Sequence, residues 1–274
     1  MMKDILASIK ETVSFIRSKT DMVPDAGIIL GSGLGDFASE IDVQLEIPYP
    51  EIPNFPVSTV KGHSGKLIFG KLSGKNIVAM SGRFHYYEGY SPQEVVFPVR
   101  VMKYLGIQML MLSNAAGSVN PNHKVGDLMV IKDHISLAIV NPLIGRNHDE
   151  LGTRFPDMSE PYNKRLIQLL KEIAREENIP LHEGVYFGVT GPTFETRAEY
   201  NMIRILGADV VGMSTVQEAI VAAHMNIPTV GVSIVTDLGI RDENNIITHE
   251  EVLEAAKAAE PKLSLLFKKL LEKA

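Results

Sequence analysis

The nine residues Gly82-Arg83-Phe84-His85-Tyr86-Tyr87-Glu88-Gly89-Tyr90 bring together a permanent cation, an imidazole, three phenols and a carboxylate. Packing alone rarely requires so polar a cluster. Arg83 carries a planar fork of donors matched to phosphate oxygens, His85 can add a second donor, and Tyr87 can hydrogen-bond a hydroxyl. The ligand this implies is a phosphate beside a sugar. The competing reading is a surface turn in which Arg83 and Glu88 only pair with each other.

Small-residue turns recur along the chain and could serve the same anion. Gly31-Ser32-Gly33-Leu34-Gly35 follows the apolar run Ala26 to Leu30, where glycines admit close backbone approach and Ser32 adds a hydroxyl. Lys61-Gly62-His63-Ser64-Gly65, Ser113-Asn114-Ala115-Ala116-Gly117 and Gly212-Met213-Ser214-Thr215 repeat the design, although Ser214 and Thr215 could equally cap the helix that follows. A dinucleotide fingerprint fits the first turn poorly. Its third glycine comes one residue too early, and no clean helix follows that leads to a strand ending in an acidic residue.

These residues need elements to hold them. Short apolar runs at Ala26 to Leu30, Lys66 to Phe69, Asn76 to Met80, Met109 to Ser113, Leu128 to Lys132, His182 to Val189, Val210 to Met213 and Thr229 to Ser233 read as strands. They alternate with helical periodicity over Pro92 to Leu105, Pro161 to Glu177, Thr196 to Leu206, Val216 to Met225 and His249 to Lys273, after an amphipathic first helix marked by Ile5, Ile9, Val13 and Ile16. The pattern predicts an α/β fold with a largely parallel sheet, whose ligands sit at strand ends. The stretches Ile47 to Pro56 and Asn141 to Pro161 read as working loops, and residues 1–274 as one domain.

Composition narrows the chemistry. At 274 residues and 45% hydrophobic, the chain can bury a large core; its net charge of −6 and lack of a basic patch argue against a nucleic-acid surface. With no cysteine, disulfides and thiolate metal sites are excluded, and no histidine spacing suggests zinc. No metal and no cofactor are expected. Neither a signal peptide nor a membrane span is legible, so a cytoplasmic protein is expected.

Taken in order, Gly31-Ser32-Gly33-Leu34-Gly35, the segment Gly82 to Tyr90, Asn114-Ala115-Ala116-Gly117, Gly191-Pro192-Thr193-Phe194-Glu195-Thr196 and Val211-Gly212-Met213-Ser214-Thr215 resemble the trimeric class of purine nucleoside phosphorylases. The resemblance runs from about Gly27 to the helix after His249. It implies a phosphorylase/hydrolase-like α/β fold, a mixed central β-sheet with a distorted barrel flanked by helices, and a homotrimer with sites near subunit interfaces. It places phosphate against Ser32, Arg83, His85, Ala115 and Ser214, with His63 on a covering loop. Tyr87, Met213 and His249 would hold ribose, and Phe155 would be lent by the neighbouring subunit. Purine would meet Ala115, Phe194, Glu195, Val211 and Asp237, and His85, Glu195 and Asp237 would be the catalytic groups. The implied activity is phosphorolysis of inosine and guanosine, and of their deoxyribose forms, with phosphate as co-substrate.

Position 237 departs from the pattern. Family members acting on 6-oxopurines carry Asn there, where this chain reads Thr236-Asp237-Leu238. An amide both donates and accepts, whereas an ionised carboxylate only accepts and would repel a 6-oxo group. Members that cleave methylthioadenosine also carry Asp, but lack the counterparts of Glu195 and His249. Asp237 is therefore expected to widen activity toward adenosine, the alternative being a methylthioadenosine or adenosine-preferring enzyme. From other classes, a nucleoside sensor is disfavoured because it would not need a phosphate site, and a nicotinamide dinucleotide enzyme would be indifferent to phosphate.

Overall fold

In this computed structural model residues 4–31, 34–59, 64–240 and 247–274 are described. The strands are β1 (Ala26–Leu30), β2 (Asp42–Pro48), β3 (Lys66–Leu72), β4 (Lys75–Ser81), β5 (Met109–Ser118), β6 (Leu128–Ile135), β7 (Leu181–Gly188), β8 (Val210–Gly212) and β9 (Thr229–Leu238). The helices are α1 (Ile5–Arg17), α2 (Pro92–Val95), α3 (Phe97–Leu105), α4 (Lys164–Glu176), α5 (Arg197–Ile205), α6 (Val216–His224) and α7 (His249–Lys273). Among the described residues, no helix is long and apolar enough to cross a membrane.

The strands form one sheet in the order β2-β3-β4-β1-β5-β8-β7-β6-β9, and a further pairing of β5 with β9 closes the last five into a barrel. The sheet is mixed, as the resemblance implies, and not largely parallel. Antiparallel pairs are β2–β3, β3–β4, β5–β8 and β6–β9. Alternating strands and helices say little about the direction of strands joined by turns: β3 and β4 meet through Ser73 and Gly74, both at positive φ, the two-residue turn that suits a tight hairpin. Central β1 is buried throughout and lies parallel to β4 and β5, which explains its unbroken apolar run.

Two departures from the sequence reading matter for the site. β5 runs on through Asn114-Ala115-Ala116-Gly117, which was expected to be a turn, and β9 runs on through Thr236 and Asp237. Both continue because they pair with each other along their whole length, from Leu110 opposite Thr229 to Ser118 opposite Leu238, with a register shift between Ala116 and Gly117. Edge strand β2 escaped notice because most of its residues face solvent. The helix read over Pro92 to Leu105 is two, broken near Pro98, whose ring removes a backbone donor.

Helices cover the sheet through spaced apolar residues. In α4, Leu166, Ile167, Leu170 and Ile173 are buried, and Asn163 caps its start by accepting from Leu166 N at 3.1 Å. A capping box between Thr248 and Glu251 fixes the start of α7, where His249 is the first helical residue. Beside the main core, a smaller cluster of Val119, Phe187, Tyr200, Ile203, Ala208 and Val211 lies against the barrel end of β5 and β8.

Candidate active site

A cavity of about 480 Å³ opens where β4, β5, β8 and β9 end, and residues from all four strand ends line it together with Phe194, Glu195 and His249. Its size suits a small organic ligand.

One end is built around Arg83, which is only 1% exposed. Its Nε and Nη2 donate to the two carboxylate oxygens of Glu218 at 3.1 and 2.6 Å, and Nη1 donates to Ser113 O at 2.5 Å. The fork expected to meet a phosphate is thus turned in part onto a protein carboxylate from α6. The competing reading, in which Arg83 and Glu88 pair with each other, does not hold, since Glu88 pairs with His85. Glu88 Oε1 accepts from His85 N at 2.8 Å and lies 3.0 Å from His85 Nδ1, while Oε2 accepts from Thr59 N and Oγ1 at 2.8 and 2.6 Å.

The charge states follow from these bonds. Burial alone would raise the Glu88 carboxyl, but the hydrogen bonds from His85 and Thr59 outweigh it and hold it at about 2. Burial, offset in part by Glu88, lowers the His85 imidazole below its ordinary value, so the ring is neutral at pH 7. An ionised Glu88 can only accept, which places the ring proton on Nδ1 and makes Nε2 an acceptor. The sequence had assigned His85 as a donor. Tyr87 stacks on His85 with centroids 4.7 Å apart, and burial, then Glu88, push its hydroxyl up to about 12, leaving a neutral O–H.

Because Glu88 is held at about 2 against an ordinary 4.5, its contribution to stability is present above pH 4.5 and disappears as pH falls toward 2. Replacing Glu88 by Gln is expected to flatten this acid limb of a stability–pH curve measured by denaturant titration; an unchanged limb would refute the assignment.

Ser214 enters the cavity from a tight turn. Thr215 has φ 70° and ψ −50°, and Val216 N donates to Ser214 O at 2.7 Å, which is a γ-turn of the rarer positive-φ hand. Thr215 occupies the N-cap position of α6, but its hydroxyl does not cap the helix. It accepts from Asn114 Nδ2 at 2.9 Å and lies 3.2 Å from Ser214 Oγ. Such backbone strain costs about 1–3 kcal/mol and concentrates at working sites.

The other end carries two carboxylates. Asp237 is buried on β9, its Oδ1 accepting from Thr236 Oγ1 at 3.1 Å. The carboxylate rests on Gly117 of β5, where an added Cβ would stand 2.7 Å from Oδ2. Burial raises the Glu195 carboxyl above its ordinary value, its hydrogen bonds oppose this, and the neighbouring charges of Asp237 and Glu199 push it further up. Tyr200, raised by burial and then by Glu195 and Asp237, packs its ring on the backbone at Gly239, where a Cβ would come within 2.3 Å.

A family model described as the phosphorylase superfamily matches residues 25–272. The chain belongs to this superfamily. Over 250 residues it is 51% identical to purine nucleoside phosphorylase 1 of Geobacillus stearothermophilus, covering 91% of each chain. It is 46% identical to the purine nucleoside phosphorylase of Rattus norvegicus, covering 96% of this chain and 93% of that one. A solved structure of Schistosoma mansoni purine nucleoside phosphorylase in complex with adenosine superposes with a TM-score of 0.93 at 44% identity, covering 98% and 97%. Its complex with inosine superposes equally well, at 42% identity.

Within this phosphorylase-superfamily fold, most of the expected site residues come together. Arg83, His85, Tyr87 and Ala115 line the cavity, as do Phe194, Glu195 and Val211. Met213, Ser214, Asp237 and His249 complete the set. Ser32 and His63 lie outside the described residues. Gly31 is described, and its lack of a side chain lets the end of β1 lie against β5: a Cβ would fall 2.8 Å from Ser113 O. Phe155 is not in this cavity; it is 85% exposed, with the Arg154 guanidinium 5.5 Å from its ring centre. Sequence reasoning missed Glu218, Thr59, Thr236 and Gly117 as partners of the site. Glu218 carries no local signal except an acidic residue in the first turn of a predicted helix.

Proposed function

We propose that the chain catalyses the reversible phosphorolysis of purine ribo- and deoxyribonucleosides, giving free base and pentose 1-phosphate. The observation that carries this reading is the span of the cavity. Arg83 bonds to Ser113, Asp237 rests on Gly117, and four residue steps along one strand separate these points by about 13 Å. A phosphate at the Arg83 end and a purine at the carboxylate end leave room for a sugar beside Tyr87, Met213 and His249.

In this reading phosphate is held by the charge of Arg83, by His85, the Ala115 backbone and Ser214, with Ser32 and His63 as further contacts. A neutral His85 with Nε2 as acceptor would take the hydrogen of a protonated phosphate oxygen, turning the other oxygens toward the anomeric carbon. As the bond from that carbon to the purine nitrogen breaks, its electron pair leaves with the base, which takes up a proton from solvent to become the free purine; the sugar gains positive charge, and a phosphate oxygen then forms the new bond. Holding the two reactants in this geometry can remove about 7–11 kcal/mol of barrier. Phe194 and Val211 pack on the purine, and Glu195 accepts hydrogen bonds from its pyrimidine-ring edge. Asp237 acts at its other edge, toward N7 and the 6-substituent. The protein supplies orientation and charge, and no metal or cofactor takes part in the scheme; inorganic phosphate is a co-substrate.

The assembly is a homotrimer in this reading, on the support of exposed Phe155, which completes the ribose site of a neighbouring subunit. The working unit is a single domain in the cytoplasm. The deciding experiment is the initial rate of base release from inosine and adenosine, each with and without phosphate. Phosphate-dependent release is expected from both; release indifferent to phosphate, or none, would overturn the reading.

Asp237 sets how far 6-amino purines are accepted. Asp237→Asn is expected to lower the adenosine-to-inosine ratio of kcat/KM by roughly tenfold, a change of about 1.4 kcal/mol. An unchanged ratio would remove Asp237 from base selection.

A further inference from the structure

Away from the cavity wall, the imidazoles of His123 and His182 lie side by side, centroids 4.5 Å apart. His182 Nε2 is 3.1 Å from Asp127 Oδ2, which also accepts from Lys124 N at 2.7 Å. On the opposite side, His123 Nδ1 is 2.9 Å from Ser118 Oγ. A continuous polar line therefore runs from the starts of β6 and β7 to the last residue of β5. Nothing in the reaction scheme uses it.

Ser118 is where β5, β8 and β9 meet. It pairs with Val210 and Leu238, its carbonyl accepts from Gly239 N at 2.8 Å, and its hydroxyl accepts from Asn120 N at 3.1 Å and lies 3.3 Å from Asp209 O. The residue before it, Gly117, is the seat of the Asp237 carboxylate. In the tautomer with its proton on Nε2, a neutral His123 accepts the Ser118 hydroxyl hydrogen at Nδ1, 2.9 Å away. A protonated ring can only donate, so the hydroxyl must then turn its hydrogen to a carbonyl, Asp209 O at 3.3 Å or Asn120 O at 3.4 Å. One added proton thus reverses a hydrogen bond next to Gly117.

Three ionisable groups face His123: His182 from β7, Asp127 from the turn before β6 and Asp209 from the turn before β8. Burial first, then His182, lower its affinity for a proton, while Asp209 and Asp127 act against them. The neutral ring prevails at neutral pH, and the protonated, donating ring is reached on the acid side.

We propose that His123 is a positioning residue for base selection: its protonation, passed through Ser118 to Gly117, shifts the seat of Asp237 and changes the discrimination between 6-amino and 6-oxo purines. The inference rests on the role given to Asp237 above.

The test compares native protein with His123→Gln, which keeps a polar group but cannot titrate, by following the adenosine-to-inosine ratio of kcat/KM from about pH 5 to about pH 8. Titration of Glu195 is common to both proteins. The two curves are expected to diverge on the acid side by between about twofold and about thirtyfold, the span of couplings transmitted through packed residues. Superimposable curves overturn the proposal. Should His123→Gln fail to fold, the native protein is sufficient. Coupling between binding events is reciprocal, so bound adenine and bound hypoxanthine must move the titration midpoint of the His123 ring by different amounts in an NMR experiment, and equal midpoints overturn the proposal. A native protein that releases no base in a phosphate-dependent way fails the functional reading, and this coupling with it; an active native protein with superimposable curves fails the coupling alone.

Discussion

Glu218→Ala is expected to destabilise the protein by about 3–5 kcal/mol, the usual consequence of leaving one member of a buried ion pair without its partner. Both oxygens of Glu218 accept from Arg83, and the two side chains are 4% and 1% exposed, so no solvent stands ready to replace the carboxylate. Equilibrium denaturant unfolding reads this directly, and a loss below about 1 kcal/mol would show that the pair is better solvated than its burial implies. Phosphate should restore more stability to the variant than to the native protein, because an anion bound at this end substitutes for the missing charge. The double replacement Arg83→Met with Glu218→Leu should recover much of the fold's stability, since buried pairs are often matched by apolar residues, while abolishing phosphate-dependent turnover. These outcomes separate the structural half of Arg83's work from its proposed role toward substrate.

The second large effect concerns Glu195. Glu195→Ala leaves purine donors without an acceptor, a loss of about 1–3 kcal/mol, so kcat/KM for inosine should fall between about fivefold and about 150-fold. The KM for phosphate should barely move, because the proposed phosphate contacts lie at the other end of the cavity; comparable weakening of both would refute the assignment to the base edge. The pH profile gives an independent check. Burial and the nearby Asp237 raise the Glu195 carboxyl, so its ionised, accepting form is reached only at a pH above the ordinary glutamate range. The acid limb of kcat/KM should accordingly lie above pH 4.5 in native protein and lose that contribution in Glu195→Gln.

The sequence disclosed the site's residues more fully than its architecture. Local strings such as Gly82 to Tyr90 and Gly191 to Thr196 bring their chemistry with them, and they converge on one cavity as expected. What was not legible were the partners. Glu218 stands 135 positions from Arg83, and Asp237 meets Gly117 only because two strands run in parallel through a shifted register. Likewise, the apolar run at Met109 announces a strand, but its continuation through Asn114 and Gly117 is imposed by pairing with β9, against the local preference of small polar residues for turns. The proton position on His85 followed the same rule, fixed by Glu88 and by burial together.

The two ends of the cavity share a foundation in β5. From Ser113 to Gly117 this single strand acts as a ruler, and the length of substrate that fits is written in its residue count. Side chains hung at either graduation can be exchanged without altering the interval between them, so under the proposed reading a carboxylate or an amide at position 237 leaves the anion end unchanged. A one-residue insertion or deletion within those five positions would have no such freedom: it would lengthen or shorten the interval by about 3.3 Å and turn every side chain beyond it to the opposite face. Variation in what this scaffold cleaves is therefore open at the tips and closed along the shaft.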